Sequence, residues 1–191
     1  MNLKIAFDMD GVLINLMPVI QKHLFIMYQD AGTIIENGTH KIKTSGNLSS
    51  NKVWKAIDRA YMDIDEIQPI HGASTLVAAL HCFSESPVRV VTARPERSRL
   101  ITESTLINKF PGVPFDLRMN QNKLLELDDI GYFVEDRRKT AIDLADAGKI
   151  VFLLDKPYNQ VPGKEHENII RLYDLLHLSP HVTSFINRGI A

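Results

Sequence analysis

The sequence predicts a doubly wound α/β fold, and three observations predict it. Short β-branched runs alternate with helical stretches, the pattern of a parallel sheet covered by helices. Most of these runs are apolar throughout, as strands buried on both faces are. Residues able to do chemistry repeatedly follow the runs directly, at the carboxyl ends where such sheets bind ligands.

The strands expected in order are Leu3 to Phe7, Val88 to Thr92, a weaker Phe115 to Met119, Tyr132 to Glu135, and Ile150 to Leu154. Helices are expected over Gly72 to Phe83, Glu96 to Phe110, Lys139 to Ala147 and Ile169 to Leu178, with Gly148 as a C-terminal cap. Asn120-Gln121-Asn122-Lys123 opens a short helix over Leu124 to Leu127. About 60 residues separate Leu13 from the helix start at His71-Gly72-Ala73, far more than a simple connection needs. They predict an inserted cap of residues 15–70, with helices over Pro18 to Gln29 and Asn51 to Met62 and a polar excursion over Thr33 to Ser50. Residues 1–14 and 71–191 then form the core domain.

Composition narrows the classes of function. With 191 residues, 45% of them hydrophobic, the chain can build one substantial core. Lysine and arginine number 22 against 23 acids, so a net charge of −1 offers no basic field for a nucleic-acid polymer, and no stable nucleic-acid partner is expected. Cys82 is the single cysteine, which excludes an intrachain disulfide and a cysteine-cluster metal site. Its apolar neighbours mark it as a buried filler. The seven histidines are scattered without metal-like pairing, and His71 and His81 read as structural. No apolar run approaches bilayer-spanning length and no signal-like segment opens the chain, so a cytoplasmic protein without a membrane partner is expected. A homo-oligomer is left open.

The chemistry starts at Phe7-Asp8-Met9-Asp10-Gly11, where an apolar strand ends abruptly in two acids and a glycine. Two carboxylates beside a hydrophobic core call for a cation, a shifted proton equilibrium, or both. Gly11 permits the turn that lets both side chains converge, so that Asp8 can attack phosphorus while Asp10 protonates the leaving oxygen and later deprotonates water. A plainer reading makes them caps of a following helix. Thr92 ends the second strand, where its hydroxyl and the N–H groups of the turn through Ala93 and Arg94 can bind phosphoryl oxygens, although Thr92 is also a good cap. Arg94 can fork onto an anionic substrate or pair with a neighbouring acid. Lys123 is a suitable point charge for a phosphoaspartyl group, or a solvated lysine at a helix start. Glu135 and Asp136 end the fourth strand and can complete the oxygen shell magnesium prefers, with Asp136 the ligand and Glu135 binding through water or orienting another group. Their alternative is a loop neutralised by Arg137, Arg138 and Lys139.

In this order Asp8-Met9-Asp10-Gly11-Val12, Thr92, Lys123 and Glu135-Asp136 resemble the four motifs of the haloacid dehalogenase (HAD) superfamily, specifically its aspartate-nucleophile phosphatases. The resemblance implies a Rossmann-like core and Mg2+ held by the Asp8 side chain, the Asp10 main-chain carbonyl and Asp136, with hydrolysis through phospho-Asp8. The inserted segment and Leu154-Asp155-Lys156-Pro157-Tyr158-Asn159, which follows the last strand, look like the 5'(3')-deoxyribonucleotidase branch. That branch implies a nucleoside monophosphate as the small phosphorylated substrate. Trp54, Tyr61 and Phe25 can each stack on a base or pack the cap.

Two other functions fit parts of the pattern. A phosphatase for sugar phosphates or polynucleotide 3'-ends would use Lys41, Lys43, Lys52 and Lys55 along a strand groove. A receiver-type signalling domain would also use a doubly wound sheet, acids, a hydroxyl, a lysine and magnesium. The long insertion and the acid two residues after Asp8 argue against it, because an acid/base beside an acyl phosphate promotes turnover.

Overall fold

The computed structural model describes residues 5–30, 34–35, 42–84, 86–126, 130–160 and 162–181. Among these residues the chain runs β1 (Ile5–Phe7), β2 (Ile14–Asn15), α1 (Met17–Tyr28), β3 (Ile34–Ile35), β4 (Ile42–Lys43), α2 (Ser50–Met62) and β5 (Gln68–Pro69). It continues through α3 (Ala73–Ser84), β6 (Val88–Thr92), α4 (Arg99–Lys109), β7 (Phe115–Met119), β8 (Tyr132–Glu135), α5 (Arg138–Asp146), β9 (Ile150–Leu154) and β10 (Ile169–Leu172).

Six strands form one sheet in the order β10-β9-β8-β1-β6-β7, and every pairing in it is parallel. The chain goes from β1 to β6 and β7 on one side, then returns to β8, β9 and β10 on the other. The strand order therefore reverses beside β1, where ligand-binding crevices form in such sheets. Alternation along β1 sorts its side chains to two cores. Ile5 and Phe7 pack with residues of α1, α2, α3 and α4, while Ala6 packs with Phe133, Ala141 and Leu144 toward α5. Both faces of the strand are thus dry, which explains its unbroken apolar run.

Four predicted helices appear within about two residues of the expected ends, a normal uncertainty for helix termini. The stretch predicted over Glu96 to Phe110 divides into a 3₁₀ turn at Glu96–Ser98 and then α4. Gly148 takes a φ of +80° and its N–H donates to the Ala145 carbonyl, the left-handed cap conformation that glycine adopts without a Cβ penalty. The short helix after Asn122 is a 3₁₀ turn at Lys123–Glu126, and Leu127 lies outside the described residues.

The prediction of one helix over Ile169 to Leu178 is overturned. Ile169–Leu172 is the edge strand β10, paired with β9, and Leu175–Leu178 is a separate 3₁₀ turn. Asp174 separates them, accepting the Leu176 N–H at 2.7 Å as an N-cap and pairing with His71 Nδ1 at 2.8 Å. The expectation of a buried Cys82 also fails: it lies on the outer side of α3 and is exposed. His81 stands 3.4 Å from the Ser86 carbonyl.

The segment between β1 and α3 is anchored at both ends by β2 pairing antiparallel with β5. Helices α1 and α2 pack against each other and share the core cluster with β1 and α3. Within the polar excursion, β3 and β4 form an antiparallel pair. Buried Asp30 accepts from Ser45 N, Ser45 Oγ and Gly46 N and ties the returning chain down. Lys41 lies outside the described residues.

Candidate active site

Because all six strands are parallel, their carboxyl ends open on one edge of the sheet, and the chemical residues arrive there from separate strands. Asp8 follows β1, and its N–H still bonds the Val134 carbonyl of β8 at 2.9 Å. The turn after it is closed by Leu13 and Ile14 N–H groups, both donating to the Met9 carbonyl. Gly11 sits in that turn with a φ of +88°; a Cβ there would lie 2.0 Å from Asp136 Oδ2. Only a residue without a side chain allows this close approach.

Lys123 joins two of the acids. Its Nζ stands 2.8 Å from Asp8 Oδ1 and 2.7 Å from Glu135 Oε2, and all three side chains are buried. Glu135 Oε1 accepts the N–H groups of Asp136 and Arg137 at 3.1 and 3.0 Å, so both of its oxygens are engaged in organising the site. The Lys123 turn is itself fixed by Asn120, whose Nδ2 donates to Glu126 Oε1, and by Asn122, whose Oδ1 accepts the Leu124 N–H.

Asp136 is completely buried, and its Oδ2 accepts the Tyr158 hydroxyl. Its Oδ1 is buried and has no hydrogen-bond partner. An oxygen left this way is costly unless something outside the chain engages it. Asp8, Glu135 and Asp136 each offer an oxygen within 4.8 Å of the others. A buried, all-oxygen donor set with one unengaged carboxylate oxygen suits a hard divalent cation such as Mg2+.

The electrostatics agree with that geometry. Burial pushes the Asp8 carboxyl up to about 7, and the charges of Glu135 and Asp10 add to this against the opposing pull of Lys123. Asp136 is raised well above the ordinary carboxylate range by burial and by the Glu135 and Asp8 charges. Lys123 is held charged by Asp8 and Glu135 in spite of its burial, and the Lys123 ammonium holds Glu135 below the usual range against the same effect. A cation between the acids would offset the repulsion that raises Asp8 and Asp136.

Asp10 turns a different way. Arg94 forks onto it, with Nε to Oδ2 at 2.8 Å and Nη2 to Oδ1 at 2.7 Å. The guanidinium is almost wholly buried, its third nitrogen reaching Thr102 Oγ1 at 3.3 Å and its flat face lying 4.2 Å from the Tyr61 ring centre. Of the two roles open to Arg94, the geometry displays the pairing with an acid. Thr92 is buried at the end of β6, its Oγ1 accepting the Arg94 N–H at 3.3 Å, and Ala93 is half-buried in the following turn.

The three cap aromatics divide. Tyr61 is packed inside, whereas Trp54 and Phe25 are 52% and 57% exposed and do not serve as packing for the core. An open groove of about 840 Å³ lies between α2 and α4, with Met27 on one wall, and Tyr61, whose ring lies against Arg94, is among the residues lining it. Lys55 lines that groove, Lys52 lies 5.3 Å over the Tyr28 ring, and Lys43 is exposed on β4.

Two organising residues take on roles the sequence does not assign: Asn159, which enters there only within the segment after the last strand, and Arg171, which carries no signal. Asn159 donates to the carbonyls of Asp136 and Leu154 at 2.8 and 2.7 Å. Arg171 of β10 reaches Asn159 Oδ1 at 2.8 Å and Asp155 Oδ1 at 2.5 Å. These contacts join segments that become neighbours only when β9 and β10 pair. Among the described residues, no helix is long and apolar enough to cross a membrane.

No family model matches the sequence, and no curated protein does. Solved structures do match. A predicted phosphoglycolate phosphatase from Haemophilus somnus superposes with a TM-score of 0.62 at 17% identity, covering 95% of this chain and 98% of that one. CbbY from Rhodobacter sphaeroides, solved with xylulose-(1,5)bisphosphate, gives 0.60 at 16% identity over 93% of this chain and 96% of the other. A HAD family hydrolase from Deinococcus radiodurans, solved with phosphate and sodium, gives 0.58 at 11% identity over 97% and 96%. At such identities the likeness speaks to architecture, and nearly the whole of each chain takes part: this protein has the doubly wound α/β fold of the HAD-type hydrolases.

Proposed function

We propose that the chain is a phosphomonoester hydrolase with Asp8 as nucleophile. The observation that carries this reading is the meeting of Asp8, Lys123 and Asp136 from three strand ends around a buried carboxylate oxygen that has no partner. Asp8 and Asp136 side chains, with the main-chain carbonyl of Asp10, would hold Mg2+. When bound, the ion supplies charge that lets an anionic carboxylate approach an anionic phosphate.

The remaining work falls to the chain. An Asp8 oxygen bonds to phosphorus as the bond to the leaving oxygen breaks, and Asp10 gives that oxygen a proton. Water then attacks the phosphoaspartate, Asp10 takes its proton, and breakage of the phosphorus–Asp8 bond frees phosphate. Lys123 balances charge on Asp8 and on the transferring group, while Thr92 and the N–H groups of Ala93 and Arg94 hold phosphoryl oxygens. Asp10 reaches its role by exchanging the Arg94 fork for the leaving oxygen. Residues 15–70, clasped at Ile14–Asn15 and Gln68–Pro69, act as the cap that excludes water and selects the leaving group.

The substrate is a small phosphorylated metabolite. Sugar phosphates and phosphoglycolate come first, supported by the compounds named with the neighbouring folds. A nucleoside monophosphate is the second reading, favoured by the exposed Trp54 on α2 as a stacking surface. A phosphate-release screen over both classes with Mg2+ separates them. Sustained release under excess substrate supports the hydrolase, and a single slow equivalent would mark a phosphoacceptor domain instead.

A further inference from the structure

We propose that Tyr158 is a positioning residue for the cation site: its hydroxyl holds one oxygen of Asp136 so that the other stays free for the ion. The inference rests on the reading of Asp136 as a cation ligand.

Asp136 stands in a cluster of three buried acids, and repulsion from Asp8 and Glu135 favours rotation of its carboxylate away from them. Two features oppose that rotation. The Tyr158 hydroxyl donates to Oδ2, and the bare Cα side of Gly11 lets both groups close in, since a Cβ there would be 2.0 Å from that oxygen and 3.1 Å from the Tyr158 hydroxyl. With Oδ2 occupied, Oδ1 is the oxygen left without a partner.

The turn that carries Tyr158 is built to keep this register. Pro157–Asn159 follows β9 as a 3₁₀ turn, and Asn159 is buried within it. Asn159 Nδ2 donates to the Asp136 carbonyl at 2.8 Å, and its Oδ1 accepts from Lys156 N at 3.1 Å and from Arg171 at 2.8 Å. One short turn thus grips the backbone of Asp136 through Asn159 and its side chain through Tyr158. Residues that orient a metal's ligands typically contribute tenfold to a hundredfold in affinity when they are removed.

The test is calorimetric titration of the full chain with MgCl2, comparing the unchanged protein with Tyr158→Phe and Asp136→Asn. Tyr158→Phe keeps the ring and loses only the hydroxyl. Its dissociation constant for Mg2+ is expected to rise about tenfold to a hundredfold. In phosphate release, its half-saturating Mg2+ concentration should rise in parallel, while kcat at saturating Mg2+ falls far less. Unchanged Mg2+ affinity in Tyr158→Phe, beside lost binding in Asp136→Asn, overturns the proposal and leaves the ligand reading standing. A kcat deficit that saturating Mg2+ does not relieve also overturns it, because a general structural defect would act that way. Undiminished binding by Asp136→Asn removes the ligand reading itself, and this inference with it.

Discussion

Asp8 and Asp10 lie two positions apart and meet opposite surroundings. Asp8 is buried against Lys123, whereas the Asp10 side chain is 29% exposed and gripped by Arg94. On the proposed mechanism, Asp8→Asn and Asp10→Asn should each lower phosphate release by several orders of magnitude, because each would remove a bond-making or proton-moving group. Glu135→Gln should be milder, since Glu135 bonds Lys123 and two backbone N–H groups and takes no bond-making or proton-moving step in the proposed mechanism. Multiple turnover at an unchanged rate in Asp8→Asn would contradict the mechanism. Gly11→Ala is expected to weaken Mg2+ binding in calorimetry and to cost about 1–3 kcal/mol in denaturant unfolding, from its left-handed backbone alone. Asp8, Thr92, Glu135 and Asp136 were legible in the sequence because each is a polar residue at or just past the end of an apolar run, whereas Lys123 follows a polar segment and stood out only by its place in the order of sites. The Arg94 fork on Asp10 was legible only as one of two options. A guanidinium serves an acid or an anionic ligand equally well, and the choice depends on Tyr61 and Thr102 standing around it.

Secondary-structure elements were readable where one periodicity dominates. β1, β6, β8 and β9 are buried runs with no competing helical pattern, and they formed as expected. β10 was misread because apolar residues at 169, 170, 172, 175, 176 and 178 also satisfy a helical spacing. Pairing with β9 and the Asp174 cap decide against the helix, and neither is a local property. This edge strand matters beyond its own pairing, because Arg171 projects from it onto the Asn159 turn. Arg171→Gln should therefore weaken Mg2+ binding by several-fold, less than the loss expected for a direct ligand. Asp174→Ala should lower stability by about 1 kcal/mol through the lost cap, measurable in urea unfolding, with Mg2+ affinity unchanged.

At the scale of the whole molecule, the buried acids make stability depend on pH and on the ion together. In the metal-free protein Asp8 titrates at about 7, against about 3.9 in an unfolded chain. Between those values the folded state keeps a proton that the unfolded state has released. The contribution of Asp8 to stability is therefore full below about pH 4 and declines as pH rises toward 7, the raised Asp136 acts in the same direction, and Glu135, held low by Lys123, acts in the opposite one. On the proposed reading Mg2+ would bind the ionised acids, and should then reverse this loss. Thermal unfolding with and without 10-fold excess of ion over its dissociation constant, roughly 1.4 kcal/mol of stabilisation at full ionisation, should give a rise in Tm that grows from pH 5 to pH 8. A rise independent of pH would contradict the burial argument. The doubly wound architecture was legible at this scale because alternation of strands and helices leaves few topologies open. The clasp of β2 on β5 was not, since each strand is two residues long and carries no pattern of its own.

That clasp has a consequence for how such a chain can change over time. The excursion between Asn15 and Gln68 departs and rejoins through adjoining, hydrogen-bonded neighbours. Lengthening it between its elements, away from those anchors and from the buried faces of α1 and α2, leaves the parallel register untouched, and the entropy of a longer closed loop grows only logarithmically. New surface can therefore be acquired there by insertion, while the sheet edge that carries Asp8 and Asp136 keeps its geometry.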